Sequence, residues 1–243
     1  MPNSFFKFKQ FVIHQDRCAM KVTTDACLFG GWAVREIESG KLKVENILDI
    51  GGGTGLLSLM VAQKISALID CIEIDKDAAL QGKKNSNDSP WKERINVINA
   101  DAKNFQFEKK YDLIISNPPF YEKEIRSSKE NKNIAHHSDE LKLDELLSII
   151  KNNLASEGHF FLLLPYKRNE EIKRLFKDHQ LKIDKIVFVR QSVNHDYFRI
   201  MLKGKLSGEE NGEIEFEEMS ITDEKQQYTK EFVDLLKDYY LYL

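Results

Sequence analysis

The chain is poor in cysteine. Among its 243 residues only Cys18, Cys27 and Cys71 carry thiols, and no two stand at Cys-x-x-Cys spacing. Neither a disulfide framework nor a zinc site is indicated, and the expected metal set is none. Long apolar runs are also missing. No stretch reaches the roughly eighteen residues needed to cross a bilayer, and the N-terminus lacks a charged-then-apolar signal pattern. A soluble, cytoplasmic monomer with no membrane partner is therefore expected. No internal repeat or low-complexity tract is present. Nor is there a large excess of charge of one sign: the net charge is -3, which on its own argues against a nucleic-acid partner.

That balance is uneven along the chain. Residues 207–243 carry 11 acidic and 3 basic side chains, a net of -8, which leaves +5 for residues 1–206. The basic excess is local: Lys7, Lys9, Arg17 and Lys21 cluster near the N-terminus, and Lys123, Arg126, Lys129 and Lys132 lie between residues 120 and 133. Glu122, Glu124 and Glu130 dilute the second cluster, which reads either as a solvated loop or as a phosphate contact. With 42% hydrophobic and 31% charged residues, the chain can bury one sizeable core. A single domain over 1–243 is expected, with an N-terminal cap over 1–40, a core over 41–206, and an acidic loop and C-terminal helix over 207–243.

Four motifs lie in order. Ile47-Leu48-Asp49-Ile50 is a short apolar strand feeding Gly51-Gly52-Gly53-Thr54-Gly55, and the helical run from Leu56 to Ala62 follows at once. Glycines let backbone approach a ligand closely, and the next helix presents unpaired N–H groups to an anion. A dinucleotide fingerprint needs glycine at position 56, where Leu56 stands, and no Gly-Lys-Ser/Thr follows. The next strand, Leu68 to Ile72, runs into Glu73-Ile74-Asp75. Glu73 lies about twenty residues past the loop, as a ribose-binding acid should, and Asp75 competes for that role. Ile95 to Asn99 then leads to Asp101. Each of these acids also suits a helix N-cap or a solvated loop.

The fourth motif is Asn117-Pro118-Pro119-Phe120, after the apolar strand Tyr111 to Ser116. Consecutive prolines fix φ and remove two donors, so the Asn117 carboxamide and the neighbouring carbonyls stay available as acceptors beside the Phe120 ring. That set suits a planar substrate with an exocyclic amino group, such as adenine; a proline-stiffened turn with a core Phe is the plainer alternative. Downstream, a helix is expected over Leu143 to Leu154, a turn at Ala155 to Gly158, a buried strand at Phe160 to Leu164 and a helix over Lys167 to Lys177. Strands at Ile186 to Val189 and Tyr197 to Leu202 follow. A last helix starts at Thr222-Asp223-Glu224, with Tyr228, Phe232, Leu235, Leu236 and Tyr239 on the face that packs on the body.

Taken together, Asp49-Ile-Gly51-Gly-Gly53-Thr-Gly55, Glu73, Asp101 and Asn117-Pro-Pro-Phe120 resemble the class I S-adenosylmethionine-dependent methyltransferases, and among these the enzymes that methylate amino nitrogens. Phe5 to Phe11, His14 to Val22, Thr24-Asp25, Ser89 to Val97 and Ala135-His136-His137 are similar, more specifically, to the bacterial tRNA adenine-N6 methyltransferases that act on a valine tRNA next to its anticodon. The resemblance implies an α/β, Rossmann-like fold: a mostly parallel seven-stranded sheet with an antiparallel edge strand and helices on both faces. It implies S-adenosyl-L-methionine as cofactor and tRNA as partner. Asp49, Gly51, Gly53 and Gly55 would hold its methionine end, Asp25 with Thr24 would close over it, Glu73 would take the ribose hydroxyls and Asp101 the adenine amino group. Asn117 and the Pro118 carbonyl would accept from the target N6 while Phe120 or Tyr121 stacks on the base; Tyr121, Lys123, Arg126 and Arg17 would meet the RNA. Other amino acceptors (rRNA guanine N2, DNA adenine, a protein glutamine amide) satisfy the same loop, and an oxidoreductase domain is the third reading. Two departures stand out: Gly52, where many such enzymes carry a larger residue, and Thr23, where glycine is expected.

Overall fold

The computed structural model describes residues 3–18, 20–118, 141–208 and 213–243. Two short strands, β1 (Phe5–Lys7) and β2 (Val12–His14), form an antiparallel pair. They are followed by α1 (Thr24–Ser39), β3 (Asn46–Ile50), α2 (Leu56–Lys64), β4 (Leu68–Glu73), α3 (Lys76–Asn87), β5 (Ile95–Asn99) and β6 (Tyr111–Ser116). Next come α4 (Leu143–Asn153), β7 (Leu154–Pro165), a 3₁₀ turn (Tyr166–Arg168), α5 (Asn169–Asp178), β8 (Leu181–Ser192), β9 (Tyr197–Leu206), β10 (Glu215–Thr222) and α6 (Lys230–Leu236).

One sheet runs β10-β8-β9-β7-β6-β3-β4-β5, parallel except for β9. Strands such as Phe160 to Leu164 read as unbroken apolar runs because both faces are covered. Phe161 and Leu163 join one core with Trp32, Met60 and Phe232, while Phe160, Leu162 and Leu164 join the other with Leu146 and Phe176. Moving outward from β3, the chain goes to β4 and β5 on one side and to β6 and β7 on the other. Open α/β sheets bind ligands at such a reversal, beyond the strands' carboxyl ends.

The sheet has eight strands where seven were expected. The addition is Glu215–Thr222, inside the segment read as an acidic loop, and it pairs parallel with β8 at the edge. The antiparallel strand β9, expected at the edge, lies inside the sheet between β7 and β8. The acids of β10 answer basic residues of β8 and α1: Lys185 Nζ lies 2.6 Å from Glu217 and 3.2 Å from Glu215, and Arg35 reaches Glu217 at 3.4 Å. Buried Glu36 joins Lys185 at 3.1 Å and Lys203 at 3.2 Å. Truncating it strands the Lys203 ammonium and leaves Lys185 to Glu215 and Glu217, and removing one partner of a buried pair costs on the order of 3 kcal/mol. Glu36→Ala should therefore shift the urea midpoint down sharply; an unchanged midpoint would mean that Glu215 and Glu217 suffice.

Three boundaries also move. Ala155 to Gly158, expected as a turn, belongs to β7, where pairing jumps from Tyr111↔Leu154 to Leu113↔His159 and the extra residues are absorbed in an irregularity. The helix expected from Lys167 begins as the 3₁₀ turn and becomes α-helical at Asn169. Thr222 ends β10 rather than starting a helix: the Asp223 carboxylate accepts from Lys225 N (2.8 Å) and Gln227 N (3.0 Å) in a tight turn. Thr229 then caps α6 by accepting from Phe232 N. Phe232, Leu235, Leu236 and Tyr239 are buried as expected, while Tyr228 is 47% exposed and stacks on Phe232. Among the described residues no helix is long and apolar enough to cross a membrane.

Candidate active site

Strand register places the motifs side by side. Ile50 of β3 pairs with Ser116 of β6 and with Ile72 of β4, and Glu73 pairs with Asn99 of β5. One residue beyond this row stand Gly51 and Asn117, on adjacent strands. The Ser116 hydroxyl donates to the Ile50 carbonyl at 2.7 Å and ties the two loops together. Asn117 is half-buried and Pro118 buried; among the described residues the Asn117 carboxamide has no hydrogen-bond partner. The remaining candidates Phe120, Tyr121, Lys123 and Arg126, with Lys129, Lys132, His136 and His137, lie outside the described residues.

The glycine loop has the backbone that its composition implies. Gly51, Gly53 and Gly55 have φ of +70°, +56° and +83°, the left-handed region where a side chain is strained, and a Cβ on Gly51 or Gly53 would meet nothing within 4 Å. The loop therefore presents bare backbone to open space. Glu73 fastens it from below. One carboxylate oxygen accepts from Gly53 N and the other from Asp75 N, both at 2.8 Å, and burial raises the pKa. Asp75 itself is the N-cap of α3, accepting from Ala78 N at 2.7 Å. Asp75 thus caps the helix through one oxygen, while both oxygens of Glu73 are engaged at the end of β4, one of them by the glycine loop.

Asp49 lies behind the loop and is fully buried. Its Oδ2 accepts from Ser58 N (3.1 Å) and Ser58 Oγ (2.7 Å), while Oδ1 has no partner among the described residues. Burial pushes the carboxyl up to about 6, against the Ser58 hydrogen bonds and with the help of the Glu73 charge. Gly52 is small for a reason that only the packing reveals: a Cβ there would stand 2.2 Å from the Cys71 Sγ. Overpacking of this kind costs about 1–3 kcal/mol. Gly52→Ala is expected to lower stability by that amount and Cys71→Ala to restore most of it, a coupling that a double-mutant cycle in urea would read; additive losses would show that the loop simply moves aside.

Asp101 follows β5 at the same edge. Its carboxylate accepts from Lys103 N (2.9 Å) and Asn104 Nδ2 (2.8 Å), holding the turn in place. Asn99 ties the ends of β4 and β5 by donating to the carbonyls of Glu73 and Ile74. Asp25, in the first turn of α1, pairs with Arg199 of β9 at 2.7 Å. Because β9 runs antiparallel, Arg199 sits opposite Pro165 at the carboxyl end of β7, and Asp25 is thereby held at the same edge.

Arg17 is exposed, on a segment docked against α3 through residues that the sequence reading missed. Gln81 accepts from Arg17 N at 3.2 Å and donates to Asp16 at 2.6 Å. Asn85 exchanges two hydrogen bonds with the His14 backbone and donates a third to the Thr54 carbonyl, inside the glycine loop. The signal was faint: Gln81, Gly82 and Asn85 make a buried polar face on a helix where apolar residues are expected. A Cβ on Gly82 would lie 2.8 Å from the Gly53 carbonyl, so α3 lies directly against the loop.

Residues 35–183 match the model of the methyltransferase small domain. The chain belongs to this methyltransferase family. It is 38% identical to the tRNA1(Val) (adenine(37)-N6)-methyltransferase of Christiangramia forsetii, with all of both chains covered. It is 48% identical to the enzyme of the same name from Dyadobacter fermentans over 67% of this chain and 66% of that one. Among solved structures, an S-adenosylmethionine-dependent methyltransferase from Clostridium acetobutylicum superposes with a TM-score of 0.57 at 15% identity, covering 77% of this chain and 94% of that one. The glycopeptide N-methyltransferase MtfA, in complex with S-adenosylmethionine, gives 0.54 at 10% identity, covering 73% and 94%. These structural likenesses establish the Rossmann-like class I methyltransferase fold, as expected.

Proposed function

We infer that the protein transfers a methyl group from S-adenosyl-L-methionine to the exocyclic N6 of adenine 37 in a valine tRNA. The observation that carries this reading is the adjacency, through the Ile50↔Ser116 register, of an open glycine loop and the Asn117-Pro118 acceptors; the relatives' names supply the acceptor. The residues fit the cofactor. Glu73 has lone pairs for ribose hydroxyls, Asp101 stands where an adenine amino group would be met, and the bare backbone at Gly51 and Gly53 leaves room for the methionine end. When bound, the cofactor supplies an electrophilic methyl on a sulfonium with a neutral leaving group.

The protein's share of the work is then alignment rather than proton abstraction. Adenine N6 is a poor nucleophile because its lone pair is delocalised into the ring. Asn117 Oδ1 and the Pro118 carbonyl accept from its two hydrogens, favour a more tetrahedral nitrogen and aim the lone pair; the proton leaves after transfer. Phe120 or Tyr121 stacks on the base, and Lys123, Arg126 and Arg17 meet phosphates. Position 37 lies in a loop and is reached without breaking a duplex. The working unit is a single cytoplasmic chain. Its three cysteines are free thiols, and the apolar face of α6 is spent against Gly31 of α1 rather than left for a partner. Residues 1–243 form a single domain, a reading supported by the bridge from Phe8 to Tyr240, which joins the two ends of the chain.

The test is incubation with methyl-labelled cofactor and unmodified tRNA, followed by digestion to nucleosides. Labelled N6-methyladenosine mapping to position 37 is the expected product. Label appearing only in rRNA, DNA or protein amides would reassign the acceptor.

A further inference from the structure

An aromatic strip with a cation on it runs obliquely across one face of the sheet, from the carboxyl end of β7 to the start of β10, outside the site described above. The Tyr166 ring, directly after β7, lies 5.3 Å from Tyr197 of β9 and 5.7 Å from Phe188 of β8. Phe188 lies 5.4 Å from Tyr197 and stacks at 12° on Phe216 of β10, 6.2 Å away. Phe216 is 59% exposed, and Tyr166, Phe188 and Tyr197 are half-buried. The Arg190 guanidinium stands 5.1 Å above the Tyr197 ring. Arg190 pairs with Glu218 at 2.5 Å and donates to Ser220 Oγ at 3.1 Å, which fixes the guanidinium over the ring and offsets the two charges against each other.

A backbone irregularity builds this strip. In the β8/β9 ladder Val189 pairs with Arg199 but Arg190 pairs with Tyr197, leaving Phe198 as an extra residue. Bulges re-aim side chains and concentrate near functional edges. Without it, Tyr197 would share a face with Arg199, which turns to Asp25 on α1. With it, Tyr197 faces the opposite side and joins Tyr166 and Phe188.

We propose that Tyr166, Phe188, Tyr197 and Phe216, with Arg190, form a ledge on which unpaired nucleotides neighbouring the target adenine stack; the inference rests on the tRNA reading above. Half-exposed rings carrying a guanidinium are what single-stranded nucleic acid takes, because every base has a π-face and its backbone welcomes a cation. The ledge begins one strand away from the acceptor loop, because Tyr166 directly follows β7 and β7 pairs with β6. Adjacent strands lie 4.7–4.9 Å apart, so β9 is about 10 Å and β10 about 20 Å from β6, a reach suited to a short unpaired stretch leaving the pocket.

The test uses the full chain and an unmodified valine tRNA with a fluorescent label. Anisotropy gives RNA affinity, calorimetry gives cofactor affinity, and thermal melting checks the fold. Tyr197→Ala and Phe216→Ala are each expected to weaken tRNA binding about tenfold, as loss of one stacked base does, and to raise the KM for tRNA with cofactor affinity unchanged. Tyr197→Phe should restore binding, since stacking needs the ring and not the hydroxyl. Should Tyr197→Ala fail to fold, Phe216→Ala on its exposed ring decides. Wild-type affinity in the Ala variants of an enzyme that methylates tRNA overturns the ledge alone and turns the strip toward a protein partner. A wild-type chain that neither binds nor methylates tRNA overturns the functional reading and the ledge with it.

Discussion

Asn117→Ala is expected to lower turnover on tRNA by on the order of a hundredfold or more while leaving cofactor affinity nearly intact. The reason is positional. The substitution removes a small polar group from a half-buried site in which, among the described residues, nothing else bonds to it, so the fold loses little. What disappears is an acceptor that orients the target amino group, and misplacement of a reacting atom by about 1 Å costs on the order of a hundredfold. Single-turnover rates with saturating cofactor and tRNA, alongside calorimetric titration of the cofactor, separate the two quantities. Parallel losses in both would make Asn117 a structural residue of the loop, which the hydrogen bond from Ser116 to Ile50 already secures.

Glu73→Ala should have the opposite profile. Its carboxylate holds Gly53 N and Asp75 N and, in the proposed complex, two ribose hydroxyls. Hydrogen bonds to a charged group contribute about 1.5–3 kcal/mol each, so loss of the ribose pair corresponds to a rise in the cofactor Kd of at least about a hundredfold. The rate at saturating cofactor would change far less. Asp75→Ala is the control: it removes a helix cap worth about 1 kcal/mol and should lower the melting temperature without moving the cofactor Kd by more than a few-fold. If Asp75→Ala rather than Glu73→Ala abolished cofactor binding, the assignment of the two acids would be reversed.

These two positions also show how much of the site was legible beforehand. Asn117 and the glycines announce themselves through short-range chemistry, since prolines restrict the preceding residue and alternating glycines permit left-handed turns. Glu73 and Asp75 were inseparable in sequence: they are two residues apart, equally acidic and on the same side of a strand. The structure gives them different partners, Ala78 N for Asp75 and Gly53 N for Glu73. Asp25 was named by resemblance, yet its partner Arg199 lies 174 residues away and carries no local signature. The same holds for Gly52, whose smallness is explained by Cys71 on the neighbouring strand.

By itself, the sequence determined seven strands along the chain and the edge on which the motifs converge, because apolar periodicity and glycine or proline punctuation are properties of neighbouring residues; the class of fold followed from the resemblance that the motifs carry. Tertiary structure decided the rest. It made the acidic stretch Glu215–Thr222 an eighth strand through pairing with Lys185 and Arg190. It moved β9 inside the sheet, docked the N-terminal segment on Gln81 and Asn85, and turned Tyr197 to the aromatic face through one extra residue. Each of these depends on partners brought together from distant parts of the chain, and the stabilisation of a charge or a ring by such a partner leaves no mark on the residues beside it in sequence.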